Sequence, residues 1–181
     1  MNELVLIVGL LSFATTSLVV GFHFSSRIFP RELQFAALMS YAGVFAFVYS
    51  IWRGQHDTTI LVAAICLFLV GIALFLWSVR TTRSSRPKIA FDPEPPSFLT
   101  RAGPYRFIRH PFYASYILFW LACAIATLHL LNFVFFIALS AIYLTAAYRE
   151  ERAFDASPLA AEYATYRKTA GFLWPKLGVR P

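Results

Sequence analysis

The segments PFYASYILFWLACAIATL (residues 111–128) and LNFVFFIALSAIYLTAAY (residues 131–148) decide the fold of this chain of 181 residues. Neither contains a charged residue, and each is close to the roughly 20 residues that a helix needs to cross the hydrocarbon core of a bilayer. Only His129 and Leu130 separate the two segments. We therefore predict a tight antiparallel hairpin of two membrane-spanning helices.

Three further apolar runs, at residues 4–24, 33–52 and 58–79, precede this hairpin. The whole chain is 59% hydrophobic and 14% charged, whereas an ordinary soluble domain is about 45–50% apolar and about 25% charged. Each run must close its backbone hydrogen bonds within itself, because an unpaired amide is costly in hydrocarbon. The sequence thus predicts an all-α, polytopic membrane protein with about five transmembrane helices.

We expect three regions along the chain. Residues 1–79 form a three-span membrane region, residues 80–110 a polar connection, and residues 111–181 the helical hairpin with a polar tail. The connection contains five prolines, which interrupt helices because proline lacks the amide donor and clashes with the preceding turn. The tail and the connection carry the polar residues of interest.

The basic residues are distributed very unevenly across the predicted membrane. With five spans, 15 of the 16 Lys and Arg residues lie on one side, and Arg53 is alone on the other. The positive-inside rule then places the N-terminus outside and the C-terminus in the cytoplasm, at the inner membrane if the protein is bacterial. The aromatic residues lie within the apolar runs rather than among the basic residues, so nucleic acid is not expected as a partner.

Two cytoplasmic stretches could carry chemistry: GPYRFIRHPFY (residues 103–113), which leads into the fourth span, and REER (residues 149–152), which follows the fifth. Because the two spans form a hairpin, these stretches should be neighbours. Arginines and the amides of a helix N-terminus would hold a carboxylate, and the glutamates would hold an ammonium group. The pair could therefore bind both ends of an amino acid. Cys66 and Cys123 lie within apolar runs, and no metal site is expected.

Each feature also has a structural interpretation. Arg106 and Arg109 could be determinants of membrane topology and nothing more, and His110 could be a helix cap. Glu150 and Glu151 could pair with the adjacent Arg149 and Arg152. Tyr163 and Tyr166, which share a helical face, could be interfacial anchors.

The ordered set Gly103-Pro104-Tyr105-Arg106-x-x-Arg109-His110-Pro111-x-Tyr113, the apolar hairpin, Glu150-Glu151 and Tyr163-x-x-Tyr166 closely resembles the isoprenylcysteine carboxyl methyltransferase and phospholipid methyltransferase superfamily over residues 99–175. The resemblance implies a cytosolic pocket for S-adenosylmethionine between the hairpin, the connection and the tail. One departure is Thr169-Ala170-Gly171, where many relatives have Arg-Val-Pro with an arginine facing the methyl acceptor. Arg167 is the nearest substitute for that arginine.

Roles follow for the matching positions. Together with the charge argument above, the resemblance implies a cofactor site formed by Gly103, Pro104, Tyr105, Arg109, His110, Pro111, Tyr113, Glu150 and Glu151. Catalytic roles would fall to Glu151, Arg167 and His110, and substrate contacts to Tyr163, Tyr166 and Trp174.

The expected function is therefore methyl transfer from S-adenosylmethionine to a lipophilic or membrane-associated acceptor: an isoprenylcysteine-like carboxylate, a phospholipid amine or a thiol. The bilayer and this acceptor are the expected partners, and the oligomeric state stays open. One alternative is an NADPH-dependent membrane reductase similar to the sterol reductases. Another is a membrane scaffold without catalytic activity.

Overall fold

Six α-helices make up the computed structural model of the protein, which describes residues 1–24, 30–85, 87, 90–91 and 96–176. The helices are α1 (Asn2–His23), α2 (Arg31–Arg53), α3 (Thr58–Thr81), α4 (Pro111–Thr127), α5 (Leu130–Asp155) and α6 (Ala160–Thr169), with a 3₁₀ turn at Gly103–Arg106. Of the basic residues used to orient the chain, Arg27, Arg86, Lys88 and Arg180 lie outside the described residues.

The prediction of a polytopic, all-helical membrane protein is confirmed. In the described part of the chain, α1, α2, α3 and α5 are long and apolar enough to span a bilayer, and α4 is a shorter apolar helix of 17 residues. Between 17% and 33% of the most apolar window of each long helix is buried within the protein. The outward faces carry large apolar side chains such as Leu11, Phe45 and Ile137, as is expected where lipid is the solvent.

Helix α4 is the centre of the bundle. It contacts α1, α2, α3 and α5, and most of its residues are buried. Its 17 residues rise about 25 Å, which is short for a lone span but suits a helix enclosed by four longer ones. The N-terminus of α4 is thereby surrounded by protein at one end of the bundle.

Polar contacts between helices hold both ends of the bundle. At the end that contains the N-terminus of α4, His23 of α1 contacts the hydroxyl of Thr82 at 2.8 Å, and Arg149 of α5 pairs with Glu32 of α2 at 3.1 Å. At the opposite end, the buried side chain of Asn132 donates to the hydroxyl of Ser50 at 2.9 Å. A buried interhelical hydrogen bond such as that between Asn132 and Ser50 contributes about 0.6–2 kcal/mol within a membrane.

The predicted hairpin is present and its turn is very short. Leu128 ends α4 in the left-handed conformation (φ 46°), and His129 caps α5 by accepting a hydrogen bond from the amide of Leu131. Helix α5 continues seven residues beyond the apolar run, to Asp155. Glu150 and Glu151 therefore lie on a rigid helix rather than in a loop.

Gly103 begins the segment that leads into α4, and the backbone there requires glycine. Its φ is +55°, a conformation that residues with a Cβ adopt at a cost. A Cβ atom at this position would also collide with the side chain of Thr81 at the end of α3. Gly103 therefore lets the connection pack closely against α3.

Replacing Gly103 with alanine should destabilise the protein by at least about 1–3 kcal/mol, the usual cost of a strained backbone, with the collision against Thr81 adding to it. The measurement is the thermal unfolding midpoint in detergent. Gly21→Ala is the matched control, because a Cβ at Gly21 meets no atom within 4 Å and alanine favours the helix. Equal midpoints for the two variants would contradict this account of Gly103.

Candidate active site

One carboxylate oxygen, Oε1 of Glu151, joins three parts of the chain. It accepts hydrogen bonds from Nε of Arg109 at 2.7 Å and from the hydroxyl of Tyr163 at 3.0 Å, and it lies 3.2 Å from Nε2 of His110. Arg109 and His110 precede α4, Glu151 belongs to α5, and Tyr163 belongs to α6. The side chains of Arg109, His110 and Glu151 are 8%, 5% and 13% exposed. This buried cluster therefore holds together the hairpin, the tail and the connection that precedes α4.

Backbone hydrogen bonds hold the tail against the same segment. The amides of Arg109 and His110 donate to the carbonyls of Gly171 and Phe172, at 2.8 and 3.2 Å, and the amide of Gly171 donates to the carbonyl of Phe107 at 2.9 Å. Arg109 also donates to the carbonyl of Ala170 at 2.6 Å. The tail after α6 is thus fixed beside the start of α4.

Glu150 occupies a different environment from Glu151. Its carboxylate accepts a short hydrogen bond from the hydroxyl of Tyr113 and lies 3.5 Å from Nδ1 of His110. Its side chain is 40% exposed and borders a cavity that Glu151 does not reach. Of the two acidic residues, Glu150 is therefore the one available to a ligand.

The cavity has a volume of about 730 Å³, which is within the usual range of about 300–1,000 Å³ for ligand sites. Its polar end lies between the connection, the start of α4, the end of α5 and α6. From there it extends into the bundle between α1, α2, α4 and α5. A ligand in it would contact both the polar cluster and the membrane-embedded helices.

The structure places the sequence-predicted residues in four locations. The cavity is lined by Tyr105, Arg109, His110, Pro111, Tyr113, Glu150, Tyr163 and Tyr166. Gly103, Pro104 and Glu151 lie behind that lining, the first two in the 3₁₀ turn and the third in the buried cluster. Arg167 and Trp174 border a separate, open crevice beside Arg109. Arg106 is exposed and lies outside the lining of both.

The structural interpretations of these residues match the observed contacts only in part. Glu151 pairs with Arg109, and Arg149 pairs with Glu32. These charged residues therefore have partners that are distant in the sequence. His110 stands at the N-cap of α4, but its side chain makes no capping hydrogen bond.

The two tail tyrosines are not anchors in the membrane interface. Tyr163 and Tyr166 are 2% and 4% exposed. The hydroxyl of Tyr166 donates to the carbonyl of Tyr105 at 2.6 Å, and Tyr163 stacks on Phe154 with ring centroids 4.4 Å apart. Both rings therefore pack inside the protein.

Arg167 is held away from the cavity by acidic partners. It donates to both carboxylate oxygens of Asp155, at 2.9 and 3.0 Å, and its guanidinium lies over the ring of Tyr163. Nε of Arg167 is 3.7 Å from Glu151. Arg167 thus borders the cluster without lining the cavity.

The electrostatics of the cluster favour a protonated His110 and a neutral Tyr163. Burial lowers the pKa of His110, but the hydrogen bonds and charges of Glu150 and Glu151 outweigh it and leave this pKa raised. Burial, followed by the charge of Glu151, raises the pKa of Tyr163. The carboxylate of Glu151 thus lies near the guanidinium groups of Arg109 and Arg167, and His110 lies near both glutamates.

Sequence reasoning missed the residues that extend the cavity into the membrane, including Tyr116 and Tyr143, whose rings are 5.2 Å apart. The three-residue spacing of Tyr113 and Tyr116 along α4 could have indicated a shared face. Residues from α1 and α2 carried no such signal, because apolar side chains in a span look the same whether they face lipid or a cavity. Among the described residues, no group of three His, Cys, Asp or Glu side chains could hold a metal ion.

These features define an integral membrane protein with a charged, aromatic cavity at one end of a helical hairpin. The family model for phospholipid methyltransferases matches residues 59–157, more than half of the chain, and the protein belongs to this family. The matched region comprises α3, the connection, α4 and α5. It begins earlier than residue 99, where the resemblance in the sequence begins, and it ends before Tyr163. No curated protein matches the chain.

Glu151→Gln should destabilise the protein by about 3–5 kcal/mol, because removing one partner leaves the buried guanidinium of Arg109 without its carboxylate. Thermal or denaturant unfolding in detergent measures this. The matched control is Glu162→Gln, which breaks the exposed pair with Arg101 and should change stability by less than about 1 kcal/mol. Similar losses in the two variants would show that the cluster does not hold the fold.

The raised pKa of His110 predicts a pH dependence of stability. The stabilisation that protonated His110 gives to the folded state is complete below the unfolded-state pKa of about 6.5. It is lost as the pH rises through the higher folded-state pKa. We therefore expect the difference in unfolding midpoint between the native protein and His110→Gln to shrink from acidic to alkaline pH. A difference that stays constant over this range would refute the charged imidazolium.

Proposed function

We propose that this member of the phospholipid methyltransferase family transfers a methyl group from S-adenosylmethionine to a lipophilic or membrane-associated acceptor. The observation that carries the proposal is the partly exposed carboxylate of Glu150, which faces the cavity beside Arg109. A cavity with both charges suits a ligand that is itself an amino acid.

The residues present fit this cofactor. Glu150 would accept hydrogen bonds from its ammonium group, and Arg109 with the N-terminus of α4 would favour its carboxylate. The faces of Tyr105 and Tyr113 would stabilise a sulfonium cation. Glu151 would act from behind this surface by holding Arg109 and His110 in position.

When bound, the cofactor would supply an activated methyl group whose sulfonium provides the driving force. The chain would then have to bind both reactants, orient them and exclude water from the site. Tyr163 and Tyr166 close the cavity from the tail, and Glu150 with His110 keep a fixed charge at its polar end. Orientation of reacting groups can lower a barrier by roughly 7–11 kcal/mol.

The acceptor class and the membrane orientation are part of the same proposal. The cavity continues between α1 and α2, so an acceptor dissolved in the bilayer could occupy its apolar part. Carboxylate, amine and thiol acceptors are all compatible with the site. The distribution of basic residues supports a cytoplasmic location for the polar end, where S-adenosylmethionine is available.

The test is calorimetry of S-adenosylmethionine binding to the full chain in detergent. The native protein should bind, and Glu150→Gln should weaken binding at least about tenfold, which corresponds to about 1.4 kcal/mol. The loss is expected because the ammonium group would face a neutral amide. Glu162→Gln, on the exposed surface, should bind as the native protein does.

Three results would count against the proposal. Binding of NADPH without binding of S-adenosylmethionine would favour a reductase, and binding of neither would favour a scaffold. Unchanged affinity in Glu150→Gln would move the cofactor away from this carboxylate.

A further inference from the structure

The apolar part of the cavity reaches about halfway into the bundle. On α4 its lining runs from Pro111 to Trp120, a rise of about 14 Å, and on α1 from Gly21 to Phe13, a rise of about 12 Å. The hydrocarbon core of a bilayer is about 30 Å thick. The cavity is therefore about as deep as one leaflet and does not cross the membrane.

Its walls offer few polar partners although they contain hydroxyl groups. The hydroxyl of Thr16 lies 3.0 and 2.9 Å from the carbonyls of Ser12 and Phe13, and Ser40 donates to the carbonyl of Ala36 at 2.7 Å. Hydroxyls that bond to their own helix are largely satisfied. Apart from the hydroxyls of Tyr116 and Tyr143, the walls therefore suit hydrocarbon.

Four aromatic rings close the inner end of the cavity. Phe13 contacts Tyr41 and Phe119, with centroids 5.5 and 6.0 Å apart, and Phe119 contacts Trp120 at 4.9 Å. We call Phe13, Tyr41, Phe119 and Trp120 the aromatic floor. All four line the cavity, and each comes from a helix that also lines its walls.

Trp120 is the most constrained member of this floor. Its side chain is buried, its indole N–H donates to the hydroxyl of Tyr143 at 3.4 Å, and it packs directly on Gly43 of α2. A Cβ at Gly43 would lie 2.7 Å from the Trp120 ring. Phe119 and Trp120 are buried and form the packed part of this floor, which a ligand cannot easily displace, whereas Tyr41 is 62% exposed.

From this geometry we infer that the aromatic floor limits the length of the apolar tail that the methyl acceptor can carry. The inference rests on the proposed function, because it requires the reacting group at the polar end near Glu150. A tail that starts there and follows the walls ends at Phe13 and Trp120. Acceptors with a tail longer than the cavity would leave their reacting group displaced from the polar end.

The fluorescence of Trp120 can report how far a bound apolar tail reaches into the cavity. In a full-length protein with Trp52→Phe, Trp77→Phe and Trp174→Phe, Trp120 is the remaining tryptophan. The probes are hexyl, decyl and hexadecyl alcohols with bromine on the last carbon, because bromine quenches indole fluorescence only at close range. The protein is placed in phosphatidylcholine nanodiscs, where buried Trp120 is shielded from lipid.

We expect the decyl probe to quench Trp120 several-fold more than the hexyl probe, which stops short, or the hexadecyl probe, which is too long. Phe13→Ala should deepen the cavity and make the hexadecyl probe an effective quencher. Phe45→Ala is the matched control, because Phe45 faces outward from α2. A second control retains only Trp52, which is exposed and should be quenched by all three probes.

The inference is overturned if Trp120 and Trp52 show the same dependence on chain length, or if Phe13→Ala and Phe45→Ala behave alike. Calorimetry with S-adenosylmethionine on the same preparations separates this failure from a failure of the proposed function. Retained cofactor binding without a chain-length limit removes only the role of the floor. A chain-length limit without cofactor binding would leave the tail site in place and remove the methyltransferase assignment.

Discussion

The three contacts to one oxygen of Glu151 are the interaction on which the site depends. Arg109 and His110 lie 42 and 41 residues before Glu151 in the chain and Tyr163 lies 12 residues after it, and each would be costly to bury without a partner. A carboxylate can accept several hydrogen bonds at once, so one residue on α5 can satisfy all three. The polar end of the cavity exists because this cluster holds the connection and the tail against the hairpin.

The two adjacent glutamates look equivalent in the sequence but occupy different environments in the structure. Glu151 points into the cluster and is nearly buried, whereas Glu150 borders the cavity and remains partly exposed. Consecutive residues on a helix project about 100° apart, so they face different surroundings. His110 lies between the two carboxylates and couples them. One acidic group is thus engaged within the fold, and the other lines the cavity.

The cavity has a polar end and an apolar end. Its polar end is built from residues of the connection and tail, and its apolar end from α1, α2, α4 and α5. The family match covers α3, the connection, α4 and α5, while α1, α2 and α6 contribute much of the remaining lining. Part of the cavity wall therefore lies outside the segment that the family match covers.

The sequence by itself determined the helical spans and the hairpin, because hydrocarbon leaves an apolar run no alternative to internal hydrogen bonding. It also placed residues 103–113 beside Glu150 and Glu151, since a two-residue turn forces the ends of α4 and α5 together. It did not reveal that Glu151 pairs with Arg109, or that Arg167 turns to Asp155, because charge partners depend on side-chain directions across helices. Only the tertiary structure decided which apolar residues face the cavity, since Phe13 and Phe45 are equivalent in hydropathy and differ only in what packs around them.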